Sequence, residues 1–164
     1  MEKIDLYNKN KEKLGKTFIR NQDKLLDDEY YLLVQAWILN SQNKILLTRR
    51  NLHKSYGGMW EPTSGHVKSG ETSLEGIQRE VCEEIGLKLQ EKDFKFLKSF
   101  IYKQSIREIW LIRKDIELNE LTLKDNEVID AKFVTLSEFI QMLNNKEIIY
   151  SLSYFIDIYN EICS

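Results

Sequence analysis

Three glutamates, Glu80, Glu83 and Glu84, stand at i, i+3 and i+4 in the segment GHVKSGETSLEGIQREVCEEIGL, Gly65 to Leu87. At helical pitch this spacing puts all three carboxylates on one face. Like charges so placed repel, and a bare helix gains nothing from them. Hard divalent cations such as Mg²⁺ take oxygen ligands and are satisfied by carboxylates together with substrate phosphate oxygens. A carboxylate cluster beside a glycine-bearing loop is therefore a candidate site for metal-assisted attack of water on phosphorus. Taken alone, a glutamate triplet is more often a solvated helix face. The surrounding residues have to decide.

Other residues fit the same chemistry more loosely. Arg49, Arg50 and Lys54 fall at the end of a strand-like stretch and in the loop before Gly65, where cations can meet phosphate. A charged surface edge is the alternative. Trp60 is a candidate to stack on a base, although a tryptophan so placed more often packs in the core. Cys82 points away from the glutamates on the wheel, and Cys163 reads as inert core.

The elements that must position these groups follow from patterning. Thr72 with Glu75 forms a capping box, Gly86 is a natural stop, and Leu74, Ile77, Val81 and Ile85 supply the buried stripe of a helix. Upstream, Lys3 to Asn8 and Lys16 to Asn21 predict two short strands, a hairpin over about 3–21 with its turn ending at Gly15. Tyr31 to Leu39 and Lys44 to Arg49 predict a buried hairpin turning at Asn40–Asn43. Ser55 to Gly70 reads as loop and carries four of the seven glycines. Phe94 to Lys103 and Arg107 to Arg113 alternate as a second strand pair, and Val128 to Val134 is a further strand. Thr135 with Glu138 caps a helix burying Leu136, Phe139, Ile140 and Leu143. A last amphipathic helix covers about 150–162. This order predicts an α/β fold, a sheet between helices, in one domain over 1–164.

Composition narrows the classes. The chain has 164 residues, 42% hydrophobic and 30% charged, which excludes disordered and collagen-like proteins. Lys and Arg total 24 against 26 Asp and Glu, a net −2, so no global positive field points to nucleic acid. A phosphate-bearing substrate would need local cations or a metal. Two cysteines make no disulfide framework or zinc site. No apolar leader and no membrane-length apolar run is visible, so the expectation is a cytoplasmic protein without a membrane partner.

Gly65, Glu71, Arg79-Glu80, Glu83-Glu84 and Gly86-Leu87 occupy every fixed position of a known signature. The segment resembles the Nudix box, Gly-x5-Glu-x7-Arg-Glu-U-x-Glu-Glu-x-Gly-U, with Val81 and Leu87 at the bulky aliphatic U positions. The resemblance implies a Nudix-type α/β/α sandwich with a mixed sheet. It implies Mg²⁺ or Mn²⁺ held by Glu80, Glu83 and Glu84, with Glu80 also orienting or deprotonating the attacking water. Gly65 would offer its carbonyl near the metal, and Arg79 would pair with Glu71 to hold the loop against the helix. Glu127 and Glu108 are candidates for the extra acidic ligand or base that many Nudix proteins carry. The implied reaction is hydrolysis of a small-molecule diphosphate compound, and homodimers are common in the family.

The stretches YYLLVQAWILN and LLTRRNLHKSYGGMWEPTSGHV look like the isopentenyl-diphosphate-isomerase-like branch. Isomerases of that branch use a cysteine just before the Gly-His pair and a three-histidine metal site. Here Ser64 takes the cysteine position, His66 matches one histidine, and the only other histidine is His53. The box that classical isomerases carry in degraded form is intact. Hydrolysis is the expectation, with isomerisation and a non-catalytic nucleotide-binding module as alternatives.

Overall fold

Residue 31 begins a nine-residue run, YLLVQAWIL, that is buried continuously from Val34 to Leu39. A strand so apolar must be covered on both faces, and the rest of the chain does this. The structure, a computed structural model, describes residues 1–164. Nine strands are formed: β1 (Lys3–Tyr7), β2 (Lys13–Ile19), β3 (Tyr31–Leu39), β4 (Ile45–Arg50), β5 (Trp60–Glu61), β6 (Thr63–His66), β7 (Lys95–Tyr102), β8 (Ser105–Arg113) and β9 (Val128–Val134). Three α-helices join them: α1 (Ser73–Ile85), α2 (Leu136–Asn144) and α3 (Phe155–Ile162).

β3 runs parallel to β8 along its whole length, while β7 and β8 form an antiparallel pair. The sheet is mixed. Side-chain alternation along β3 divides the core between its two faces. Val34, Ala36 and Ile38 pack with Ile77, Val81 and Ile85 of α1. Trp37 and Leu39 pack with Phe139 of α2 and Phe155 of α3. The Trp37 and Phe155 rings stack at 3.6 Å, and the Trp37 indole donates to the Tyr154 hydroxyl at 2.9 Å. The expected α/β fold, helices on both sides of a mixed sheet, is what forms. No helix is long and apolar enough to cross a membrane.

Several boundaries differ from the sequence expectation, each for a local reason. The first turn lies at residues 8–12, where the Asn8 side chain accepts from the Asn10 and Glu12 amides at 2.9 and 3.1 Å. Gly15, with φ +69°, instead sits inside β2 where the register slips. The expected last helix is a 3₁₀ turn, Tyr150–Leu152, followed by α3. The expected buried hairpin closes only at Leu39 and Ile45. Beyond that point β4 leaves to pair with β9 and β5, and β6 takes its place beside β3. The stretch read as loop therefore contains two strands that fill a fork. Pro62, between β5 and β6, falls where the chain changes pairing partner and needs no ladder N–H.

Candidate active site

The helix that carries the carboxylates is fixed at both ends. The Thr72 hydroxyl accepts from the Glu75 amide at 3.2 Å, and the Glu75 carboxylate accepts from the Thr72 amide at 2.8 Å. At the other end Gly86 takes φ 74°, and a Cβ there would lie 2.8 Å from Thr122. Glycine is required on both counts.

Arg79 ties α1 to the loop before it. Its Nε and Nη2 donate to the two Glu71 oxygens at 2.6 and 3.0 Å, a bidentate pair, and Nη2 also reaches the His66 carbonyl at 2.9 Å. Nη1 donates to Glu80 at 2.8 Å and to Glu83 at 3.3 Å. Burial opposes its charge, but the bonds from Glu71 and Glu80 carry its pKa above the ordinary value. Glu71 also accepts from the Lys68 amide at 2.9 Å. The loop and helix are one clamped unit.

Gly65 lies directly under Glu80, and any side chain at Gly65 would overlap that carboxyl. β6 and α1 can approach this closely only with glycine there. Glu80 and Glu84 are both buried, whereas the Glu83 side chain is 41% exposed. Burial raises the Glu80 pKa, partly offset by Arg79. Glu84 is different. Burial, then the charges of Glu80 and Glu61, hold its carboxyl well above the usual range, and no ion pair compensates it.

The opposite wall comes from β4, β5 and the loop between them. Arg50 Nη1 pairs with Glu61 at 2.6 Å, and its Nε donates to the Ser55 carbonyl at 2.8 Å. Lys54 pairs with Glu127. Burial raises the Glu61 pKa against the pull of Arg50. Together these groups line a polar cleft of about 390 Å³ that includes Arg50, Lys54, Gly65, Arg79, Glu80, Glu83, Glu84 and Glu127.

Other expected site residues lie elsewhere. Arg49 and Trp60 face each other in register across β4 and β5. Alternation turns both away from the cleft that Arg50 and Glu61 line. Trp60 is buried in the core cluster of α2 and α3, with Lys132 over its ring at 4.4 Å and Arg49 at 6.0 Å. Glu108 alternates with Arg107 on β8, and it is Arg107 that lines the cleft. Cys82 is absent from the lining, as the wheel indicates. Several charged lining groups escaped the sequence reading, Glu61 and Arg107 among them, with Glu2, Arg20, Lys68 and Lys124. A face-by-face register of the strands would have flagged Arg107, since it shares a face with Ile109 and Leu111.

The donor set fits a hard divalent cation. It is all oxygen, two of its three glutamates are buried, and one of these has no ion-pair partner, only the longer-range attraction of Lys54 and Arg50. The carboxylates are not already gathered: no three Asp, Glu, His or Cys side chains converge at ligating geometry. Arg79 holds Glu80 and Glu83, so a cation would compete for those oxygens. A three-histidine site cannot form here, because the only cleft histidine is His66. Burial, then the charges of Arg20 and Lys54, lower its pKa to about 3. His53 is exposed and absent from the cleft lining.

The chain is similar to known proteins in sequence and in fold. Residues 31–153 match the NUDIX domain. An uncharacterized Nudix hydrolase of Listeria monocytogenes is 34% identical over 151 residues, spanning 91% of this chain and 89% of that protein. A Deinococcus radiodurans crystal structure superposes with a TM-score of 0.77 at 23% identity over 98% of both chains. A Francisella tularensis bifunctional NMN adenylyltransferase/ADP ribose pyrophosphatase, complexed with AMP and an Mn ion, superposes at 0.66 and 22% identity over 82% of this chain and 42% of that one. With the box intact on α1 and the domain matched over most of its length, the chain belongs to the Nudix hydrolase family.

Proposed function

We propose that the chain is a Mg²⁺- or Mn²⁺-dependent hydrolase of a small diphosphate compound, with Glu80, Glu83 and Glu84 as metal ligands. The observation that carries this is Glu84, a buried carboxylate beside Glu80 and Glu61 with no cation of its own. A bound divalent ion would compensate that charge, neutralise the diphosphate and activate water. Gly65 would add its carbonyl and Glu127 a further carboxylate at the rim.

The protein's own groups account for the remaining needs. Arg79 holds Glu80 Oε1, which leaves Oε2 for the cation and for orienting the water beside it. Arg50 and Lys54, on the facing wall, bind phosphate oxygens and hold the diphosphate for in-line attack. Within the family the chain resembles the isomerase-like branch, but Ser64 and a single cleft histidine favour hydrolysis over isomerisation.

Incubation with Mg²⁺ and a panel of nucleoside di- and triphosphates, ADP-ribose, sugar nucleotides and isopentenyl diphosphate tests this. Cleavage that disappears in Glu84→Gln is the expected result. Dimethylallyl diphosphate formed without phosphate release would replace hydrolysis with isomerisation. Turnover unchanged in Glu84→Gln would remove the ligand assignment.

A further inference from the structure

The polar cleft does not end at the carboxylates. It opens into a second, mostly apolar cleft of about 1010 Å³ between β3, β8 and the segment that joins α2 to α3. The two share Leu33, Tyr56, Arg107, Ile149 and Ser151 as walls. Arg107 stands at this junction and is 8% exposed. Its guanidinium lies 4.2 Å from the Tyr102 ring centroid. Its Nη1 makes only long contacts, 3.4 and 3.5 Å, to the Ser151 carbonyl and hydroxyl. Its Nε has no partner at all, and no carboxylate pairs with it. A buried cation without a counter-charge is costly unless a ligand supplies one.

The apolar cleft also carries exposed aromatic rings. Tyr56 and Tyr150 line it while 62% and 81% exposed, and Tyr102 beside Arg107 is 38% exposed. Flat rings with a polar tip at a cleft mouth are platforms for stacking.

We propose that Arg107 is a substrate-binding residue that holds the phosphate on the far side of the diphosphate from the carboxylates, and that the tyrosine-lined cleft receives an aromatic ring attached to that phosphate. This rests on the diphosphate reading of the carboxylate cleft. Chain geometry links the two parts. The clefts share Arg107 and Ser151 as walls, so a group attached to a diphosphate in the polar cleft can pass Arg107 into the apolar one. The phosphate supplies the acceptor that Arg107 Nε lacks, and the ring stacks where Tyr102 and Tyr150 are exposed.

Calorimetric binding of three uncleavable probes in Mg²⁺ buffer tests the inference: α,β-methylene ADP, methylenediphosphonate without a ring, and geranyl methylenediphosphonate. Arg107→Gln is expected to weaken α,β-methylene ADP by about 10- to 100-fold, the loss of a charge-assisted bond. Arg107→Lys should restore part of it, and should serve alone if the Gln variant fails to fold. Tyr150→Ala should weaken the ring-bearing probe by about 3- to 10-fold and leave methylenediphosphonate unchanged. Wild-type affinity in Arg107→Gln would overturn the anchor, and tighter binding of the geranyl probe would overturn the ring. Arg107-dependent binding without turnover of any substrate would refute hydrolysis and keep this site. Turnover with KM unmoved by Arg107→Gln would keep hydrolysis and refute this site.

Discussion

Arg79 on α1 and Arg107 on β8 reach the same cleft from different walls and meet opposite surroundings. Arg79 donates to Glu71, Glu80, Glu83 and the His66 carbonyl. Arg107 has an unpartnered Nε and two long contacts to Ser151. The first wall is internally neutralised and holds the loop, the helix and Gly65 in place. On the second, burial lowers the Arg107 pKa, offset only by the neighbouring tyrosines Tyr154, Tyr102 and Tyr31 and by no carboxylate. Glu84 repeats the contrast with the sign reversed, next to a well-paired Glu80. The charges matched around Arg79 make the frame, and on the proposed reading the unpaired Glu84 and Arg107 are two of the groups that meet cation and substrate.

Breaking the unmatched carboxylate should have the largest effect. Glu84→Gln is expected to lower kcat by about a thousandfold, as loss of a preorganised charge does. The same change should raise the melting temperature of the metal-free protein, because it removes a buried charge repelled by Glu80 and Glu61. A lower melting temperature would mean that Glu84 is better compensated than the cleft shows. Mg²⁺ titration sharpens the point, since the wild type should gain thermal stability with added ion and Glu84→Gln should gain far less.

Breaking the frame should cost stability instead. Arg79→Ala leaves Glu71 and Glu80 without their cation and is expected to lose about 3 kcal/mol or more in urea unfolding. Arg107→Met, the same class of loss on the other wall, should stay within about 1 kcal/mol of wild type. Equal losses for the two would erase the distinction between them.

The smallest effect concerns the ribbon that buttresses the loop. Asp5 accepts from the Ser69 hydroxyl at 2.6 Å, the Gly70 amide at 3.1 Å and Lys13 at 3.0 Å. Burial works against its charge, but these bonds prevail and lower its pKa below 3.8. A lowered carboxylate pKa contributes stability above the unfolded value and loses it as pH falls through the folded one. Asp5→Asn should therefore be slightly less stable than wild type above about pH 4, with the gap closing at more acidic pH.

Much of the site was legible because the box is local. Thr72, Glu75, Gly86 and the glutamate spacing all act within one helix, and a helical period places side chains without reference to the rest of the chain. The strand at 128–134 and the cap at Thr135 were readable for the same reason. The faces of Arg49, Trp60 and Glu108 could not be read because a strand residue's face depends on which neighbour it pairs with. Once β5 pairs with β4, Trp60 shares the Arg49 face and enters the core. The fork between β3 and β4 was invisible for that reason too, since each strand alone suits a plain hairpin.

From its sequence this protein determined the helix, its caps, its three carboxylates and the arginine that clamps them, all set by periodicity and short-range hydrogen bonding. Tertiary structure alone decided that β5 and β6 would split a hairpin and that Glu61 would join the cleft. It also left Glu84 buried without a cation and set Arg107, not Glu108, at the meeting of two clefts. Burial and charge balance are sums over every element packed around a residue, and no single stretch of chain contains them.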